Sequence, residues 1–207
     1  MKIYTRKGDD GTTGLLYGGR VAKDSAVIEA NGAVDEAQAA LGTVRAEVEK
    51  GSELDGLLVG LSRDLYVLMA ELATAAPNRR KLKPGVTLVT GEMVGALEGR
   101  IDDLSGRFPP ITDFVVPGHD AVSAALDVAR TAVRRAERAS LGAAAEGSLV
   151  VGYLNRLSDL LWTMARWQEH GESLLSRHAD TTGAVDTTGH ADTTDPAQPA
   201  EPGGQEE

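Results

Sequence analysis

Residues 128–138, VARTAVRRAER, place Arg130, Arg134, Arg135 and Arg138 within nine positions of a chain whose formal net charge is −10. In a helix, Arg130, Arg134 and Arg138 fall at i, i+4 and i+8 on one face, where like charges repel rather than support the helix. Guanidiniums so arranged suit an anion, because a carboxylate or phosphate accepts paired N–H donors from each of them. Two readings stand. One is a solvated face, with Glu137 offsetting part of the charge. The other is an anion site, favoured by the apolar neighbours Val128, Ala129, Ala132 and Val133 around Arg130. Asp35-Glu36, inside GAVDEAQAALG, adds to the second reading, since a carboxylate among Ala, Val and Leu needs a partner. An Asp–Arg pair between helices or between subunits would satisfy both groups.

Three further segments carry chemical potential. TRKGDDGTTG, residues 5–14, is rich in glycine and threonine, so its backbone can fold around an anion with N–H groups pointing inward and hydroxyls adding donors. It lacks the Gly-Lys-Ser/Thr ending of a Walker loop, and by itself it also reads as a flexible arm. Lys23, in GGRVAKD, is a phosphate partner or a solvated lysine. In YLNRLSDLLWTMARW, residues 153–167, Asn155 and Asp159 share one face of an otherwise apolar helix; interhelical hydrogen bonds compete there with ligand binding. FVVPGHD, residues 114–120, carries Phe114, one of only two phenylalanines, which on its own reads as a plug for the end of a bundle.

Helices must position these residues. The chain has 207 residues, 42% of them hydrophobic but only 4% aromatic, a balance of Ala, Leu and Val that favours packed helices over a sandwich of strands. Five segments have helical periodicity. They cover about residues 26–50; 53–75, with Leu54, Leu57, Leu58, Leu61, Leu65, Leu68 and Leu72 at spacings of three and four; a stretch starting at Thr90 as N-cap; the arginine segment; and 149–169. Helices of ~20 residues are about 30 Å long, the scale of an antiparallel bundle. The expected fold is therefore all-α: a five-helix antiparallel bundle over residues 25–170, a Gly-rich N-terminal arm over 1–24, and an acidic tail over 171–207.

That tail carries eight acids against Arg177 alone, so the other 170 residues sum to only −3. Its three DTT triplets recur every six residues without apolar anchors, which predicts disorder. The lack of cysteine excludes disulfides, thiolate metal sites and Cys nucleophiles. No broad basic stripe with aromatics supports nucleic-acid binding. No uncharged apolar run approaches the ~20 residues of a membrane span, and the N-terminus has no secretory core, so a soluble cytoplasmic protein is expected.

Taken together, YTRKGDDGTTGL, GGRVAKD, GAVDEAQAALG, ELAT, FVVPGHD, ALDVARTAVRRAER and YLNRLSDLLWTMAR resemble, in order and spacing, the ATP:cob(I)alamin adenosyltransferases of the propanediol-utilisation type. The resemblance covers roughly residues 2–170. It implies a homotrimer with an active site at each subunit interface, and transfer of the 5′-deoxyadenosyl group of Mg-ATP to cob(I)alamin with release of triphosphate. It implies that Thr5, Gly8, Asp9, Gly11, Thr13 and Lys23 wrap the polyphosphate, that Arg130 pairs with Asp35 across the interface, and that Arg134 contacts the phosphates. Asn155 would hold ATP, and Phe114 would lie beneath the corrin and help displace the lower axial ligand of cobalt. No resident metal is implied beyond the Mg²⁺ that accompanies ATP. A cobalamin reductase or a cobalamin-dependent mutase would be the protein partner.

Three positions depart from the family's usual pattern. His119-Asp120 follow Gly118 where a second glycine is usual, Asp127 stands where histidine is common, and Ala26 and Asn31 replace an Arg and an aromatic. His119 is then either a surface residue or a ligand for cobalt or another metal. Two alternatives to the adenosyltransferase follow: a non-catalytic cobalamin carrier serving a mutase, and a bundle recruited to another substrate through the His119 loop.

Overall fold

In the computed structural model, which describes residues 3–176, five α-helices carry the fold: α1 (Ala26–Glu47), α2 (Glu53–Leu72), α3 (Gly91–Ser105), α4 (Ala121–Ser140) and α5 (Val150–Gln168). A short 3₁₀ segment, Ala76–Lys81, occupies part of the basic loop after α2. The arm is not featureless. It forms an antiparallel hairpin of β1 (Thr12–Gly14) and β2 (Arg20–Ala22), with Thr12 opposite Ala22 and Gly14 opposite Arg20. The DTT repeats expected to be disordered lie outside the described residues.

Local chemistry explains the helix boundaries. The hydroxyl of Ser52 caps α2 by accepting from Asp55 N at 3.2 Å, after Gly51 has turned the chain at a φ of 86°. Asp55 returns the favour, accepting from Gly51 N at 3.0 Å and from Arg45 at 2.7 Å. The Gly51 amide first, then the Arg45 guanidinium, hold its carboxyl below the usual carboxylate range. Thr90 caps α3 as its sequence predicts, at 3.4 Å from Met93 N.

Leu58, Leu61, Leu65 and Leu68 of α2 meet Leu154, Leu157 and Leu161 of α5 in a single core. Each fully buried leucine contributes about 1.5–3 kcal/mol relative to exposure. The buried face of α1 includes Ala30, Ala33 and Ala37, and that of α4 Ala129, Ala132 and Ala136. Small side chains there permit close approach of the two rods.

Contacts along each pair give the helix directions. α1 is antiparallel to α2, through Asn31 to Met69 O and Gln38 to Ser62 O. α4 is antiparallel to α5, through Asn155 to Glu137 and Arg166 to Asp127. α3 corrects the expectation of a wholly antiparallel bundle. Glu98, at the middle of α3, pairs with Arg156, and Arg107, just past its end, lies over the Trp167 ring further along α5, so α3 and α5 run parallel. The connection from α3 to α4 makes this possible, because its residues 106–120 lie at the far end of α5.

Buried Glu71, in ELAT, ties the opposite end together. It accepts from Arg79 at 2.8 Å, from Val89 N at 2.8 Å and from the Ser148 hydroxyl at 2.7 Å, joining α2, the basic loop and the start of α5. Two residues on, Ala73 O accepts from Leu16 N at 2.8 Å and docks the hairpin.

Candidate functional site

The hairpin is held mainly by its own backbone and by Arg20. That guanidinium donates to Lys7 O at 2.5 Å and to the Thr12 hydroxyl, beside Asp10 at 3.5 Å. The chain passes so tightly between β1 and Lys23 that a Cβ on Gly8 would lie 3.1 Å from both Lys23 Nζ and Thr12 O. Gly11 takes a φ of 80°, and its carbonyl accepts from Lys23 N at 2.9 Å. Thr13, Gly14 and Lys23 then face Asn31 and Asp35 of α1 across a cleft of about 370 Å³. Thr5 and Asp9 are exposed on the arm, outside that lining. Asp35 is exposed and has no ion pair among the described residues.

A second cleft, of about 730 Å³, opens at the other end of the bundle. Phe114 does not plug it: the side chain lies on its rim and the residue is 79% exposed. Asp127, Arg130, Trp162 and Arg166 also line it. Beneath the cleft is a buried set of charges. Asp127 accepts from Arg130 Nε at 2.9 Å and from Arg166 at 2.7 Å, and Arg166 lies 3.0 Å from Glu169. Arg166 and Glu169 are each only 1% exposed. Two guanidiniums and two carboxylates neutralise one another there, which such burial requires.

The arginine column is thus divided. Within the chain Arg130 finds Asp127 on its own helix, not Asp35. Arg135 pairs with Glu36 across to α1. Arg134 and Arg138 are exposed and have no partner among the described residues. Asn155 is half-buried, donating to Glu137 at 3.0 Å and accepting from Arg156 at 3.0 Å. It makes the interhelical bond that its face permits.

Two departures acquire local roles. Asp120 is the N-cap of α4, accepting from Val122 N and Ser123 N at 2.8 Å each, while Ser123 accepts from Asp120 N in return. His119 stands 3.8 Å from Glu172. No group of three or more His, Cys, Asp or Glu side chains suited to a metal occurs among the described residues.

The hairpin and the Phe114 loop lie toward opposite ends of α5. The hairpin docks beside Ser148, just before that helix, and the Phe114 loop bonds to residues just after it. The linings approach one another between those ends, because Asp35 adjoins Glu36, whose partner Arg135 lies five residues along α4 from Arg130.

Residues 3–168 match the model of the cobalamin adenosyltransferase family. This chain belongs to that family. It is 41% identical over 170 residues to a corrinoid adenosyltransferase of Mycobacterium tuberculosis, covering 80% of this chain and 87% of that protein. It is 38% identical over 173 residues to the corrinoid adenosyltransferase PduO of Citrobacter freundii, of which it spans half the length, with 82% of this chain matched. Among solved structures, a variant PduO-type ATP:corrinoid adenosyltransferase from Lactobacillus reuteri, complexed with cobalamin and ATP, superposes with a TM-score of 0.76. That pair shares 28% identity over 85% of this chain and 97% of the other.

Asp127, Trp162 and Arg166, which line the second cleft, and Glu169 beside Arg166 were not singled out in the sequence for that place. Asp127 and Arg130, at i and i+3 in LDVAR, were a legible signal; Asp127's second partner, Arg166, lies 39 positions away.

Proposed function

We propose that this chain is an ATP:corrinoid adenosyltransferase, which transfers the 5′-deoxyadenosyl group of ATP to the cobalt of cob(I)alamin. The cobalt electron pair attacks C5′, a cobalt–carbon bond forms, and the C5′–O bond breaks with its electrons leaving on triphosphate. Cobalt is itself the nucleophile, so no general base is needed. The protein's work is to align the reactants and to stabilise charge on the departing triphosphate.

The hairpin and Lys23 suit the polyphosphate, with Thr5, Gly8, Asp9, Gly11 and Thr13 shaping the cradle from backbone N–H groups and hydroxyls. Arg134 donates to the leaving phosphates, and Asn155 contributes to holding ATP. Mg²⁺ would be carried largely by phosphate oxygens and water, its usual mode in nucleotide sites. Phe114 offers an apolar ring to the lower face of the corrin and disfavours an axial ligand there.

One observation carries this reading: an exposed phenylalanine overhangs a roomy cleft in a chain whose glycine-rich hairpin frames a separate lysine-lined one. Because the two clefts are lined separately within one protomer, the proposed working site joins the arm of one copy to α4 of the next. A homotrimer with interfacial sites does this, and it gives exposed Asp35, Arg134 and Arg138 their partners. No helix among the described residues is long and apolar enough to cross a membrane. A cytoplasmic setting, with a cobalamin reductase or a mutase as neighbour, fits that reading.

The test is anaerobic incubation with Mg-ATP and cob(I)alamin, following the corrinoid absorbance and assaying triphosphate. Stoichiometric adenosylcobalamin and triphosphate are expected. Corrinoid binding without ATP binding would point to a carrier, and ATP binding without turnover to another acceptor.

A further inference from the structure

The family match ends at residue 168, yet the next eight residues fold back onto the loop that carries Phe114. After α5, His170 and Gly171 adopt φ values of 51° and 88° and reverse the chain. The turn is tight: a Cβ on Gly171 would lie 3.0 Å from Cδ of Pro109, at the entrance to the Phe114 loop. It is also anchored from below, because the Ser173 hydroxyl donates to Glu169, the buried carboxylate beside Arg166. Beyond it, Leu175 pairs antiparallel with Val115. Val116 N donates to Leu174 O at 2.8 Å, and Ser176 N donates to the carbonyl of Phe114 itself at 2.7 Å.

We propose that residues 173–176 are a positioning strap for Phe114, a backbone clamp that fixes where the ring stands over the corrinoid cleft. This rests on the adenosyltransferase reading. An exposed ring has no core packing to fix it, so its placement depends on what holds its main chain. Main-chain bonds on both sides of Val115 define the strand direction through Phe114 while leaving its side chain free to face the ligand. An ångström of slack at such a group is costly in a reaction that depends on alignment. Strap residues act through Phe114 and do not themselves touch cobalt or nucleotide.

Ser176→Pro in the full chain tests this, since proline removes the N–H that holds Phe114 O and leaves the buried core alone. Ser176→Ala keeps that N–H and loses only a 3.4 Å hydroxyl contact to Asp113. The apparent KM for cob(I)alamin, and the fraction of bound cob(II)alamin lacking its lower ligand by visible and paramagnetic resonance spectra, are measured beside the KM for ATP. Ser176→Pro should raise the corrinoid KM about tenfold, the scale of one net hydrogen bond. It should reduce the fraction without a lower ligand and leave the ATP KM within about twofold, with Ser176→Ala at least fivefold less affected on the corrinoid side.

A lock gives the converse test. Val115 and Leu175 form a pair without direct ladder bonds, whose Cα atoms stand about 4.5 Å apart, within disulfide reach. Because the chain has no cysteine, Val115→Cys with Leu175→Cys, added to Ser176→Pro, should recover corrinoid handling when oxidised and lose it again on reduction. Equal corrinoid KM values for Ser176→Pro and the parent chain, or equal losses for Pro and Ala, would overturn the strap. So would failure of the lock to rescue once mass spectrometry shows the bond. If the parent chain itself makes no adenosylcobalamin, the adenosyltransferase reading falls instead.

Discussion

The two ends of this bundle present their candidate groups in opposite ways. At the hairpin end the framework is main chain: glycines that turn tightly, N–H groups, and one guanidinium clipping the strands. Lys23 and Asp35 stand exposed in front of it. At the Phe114 end the framework is a charge set, buried Asp127, Arg166 and Glu169 with half-buried Arg130, under an exposed hydrophobic ring. The difference follows from what each end is proposed to hold. A polyphosphate is flexible and fully charged, so several donors at approximate positions suffice. A ring that must exclude an axial ligand works by occupying one place, and its floor must be stiff.

Arg166→Ala probes that stiffness and carries the largest expected effect. It would leave Asp127 and Glu169 as buried carboxylates without their shared partner, at a cost of roughly 3–5 kcal/mol of stability. Urea unfolding measures it. Lys23→Ala, at the exposed end, should change stability by no more than about 0.5 kcal/mol in the same experiment. Comparable losses from the two substitutions would erase the distinction between a rigid and an adaptable end.

Arg134→Ala comes next. Its side chain is exposed with no partner among the described residues, so folding should be spared while turnover falls about 10²- to 10³-fold, the scale of removing one donor to developing charge. A shifted unfolding midpoint with ordinary turnover would make Arg134 a structural residue. Phe114→Ala sharpens the contrast from the other side. ATP affinity should be unchanged, whereas conversion of bound cob(II)alamin to a form without its lower ligand should weaken. Spectra identical to those of the parent chain would remove Phe114 from the proposed site.

The sequence revealed the two ends unequally. Helices were readable because burial imposes a period: the leucines of 53–75 and the Thr90 cap state both position and phase. The hairpin was not, because its strands are three residues long and largely exposed, and its place is set by contacts far apart in the chain, Leu16 to Ala73 and Asn78 to the carbonyls of Tyr17 and Gly18. The parallel packing of α3 on α5 depends on which end of α5 a long connection reaches, which no local pattern encodes. Candidate residues followed the same rule. Gly8, Gly11 and Lys23 form a local group that the structure does bring together. Arg130 was expected to meet Asp35 across a subunit interface, a pairing between chains; within the chain it bonds to Asp127, three positions earlier on the same helix.

Asp120→Ala is the smallest and most local of these effects. The residue follows His119, which stands where a second glycine is usual in the family, and could be mistaken for part of a change of chemistry in the Phe114 loop. Its carboxylate instead accepts from two amides at the start of α4, and Ser123 closes a capping box from the other side. Removing it should cost about 1 kcal/mol. Asn accepts the same bonds, so Asp120→Asn should retain most of that stability, while Ala should not. The floor of the cleft begins two turns further along α4, at Asp127, so both variants should keep the parent's corrinoid KM. A corrinoid defect in Asp120→Asn at full stability would mean that the carboxylate charge, and not the cap, is what this position supplies.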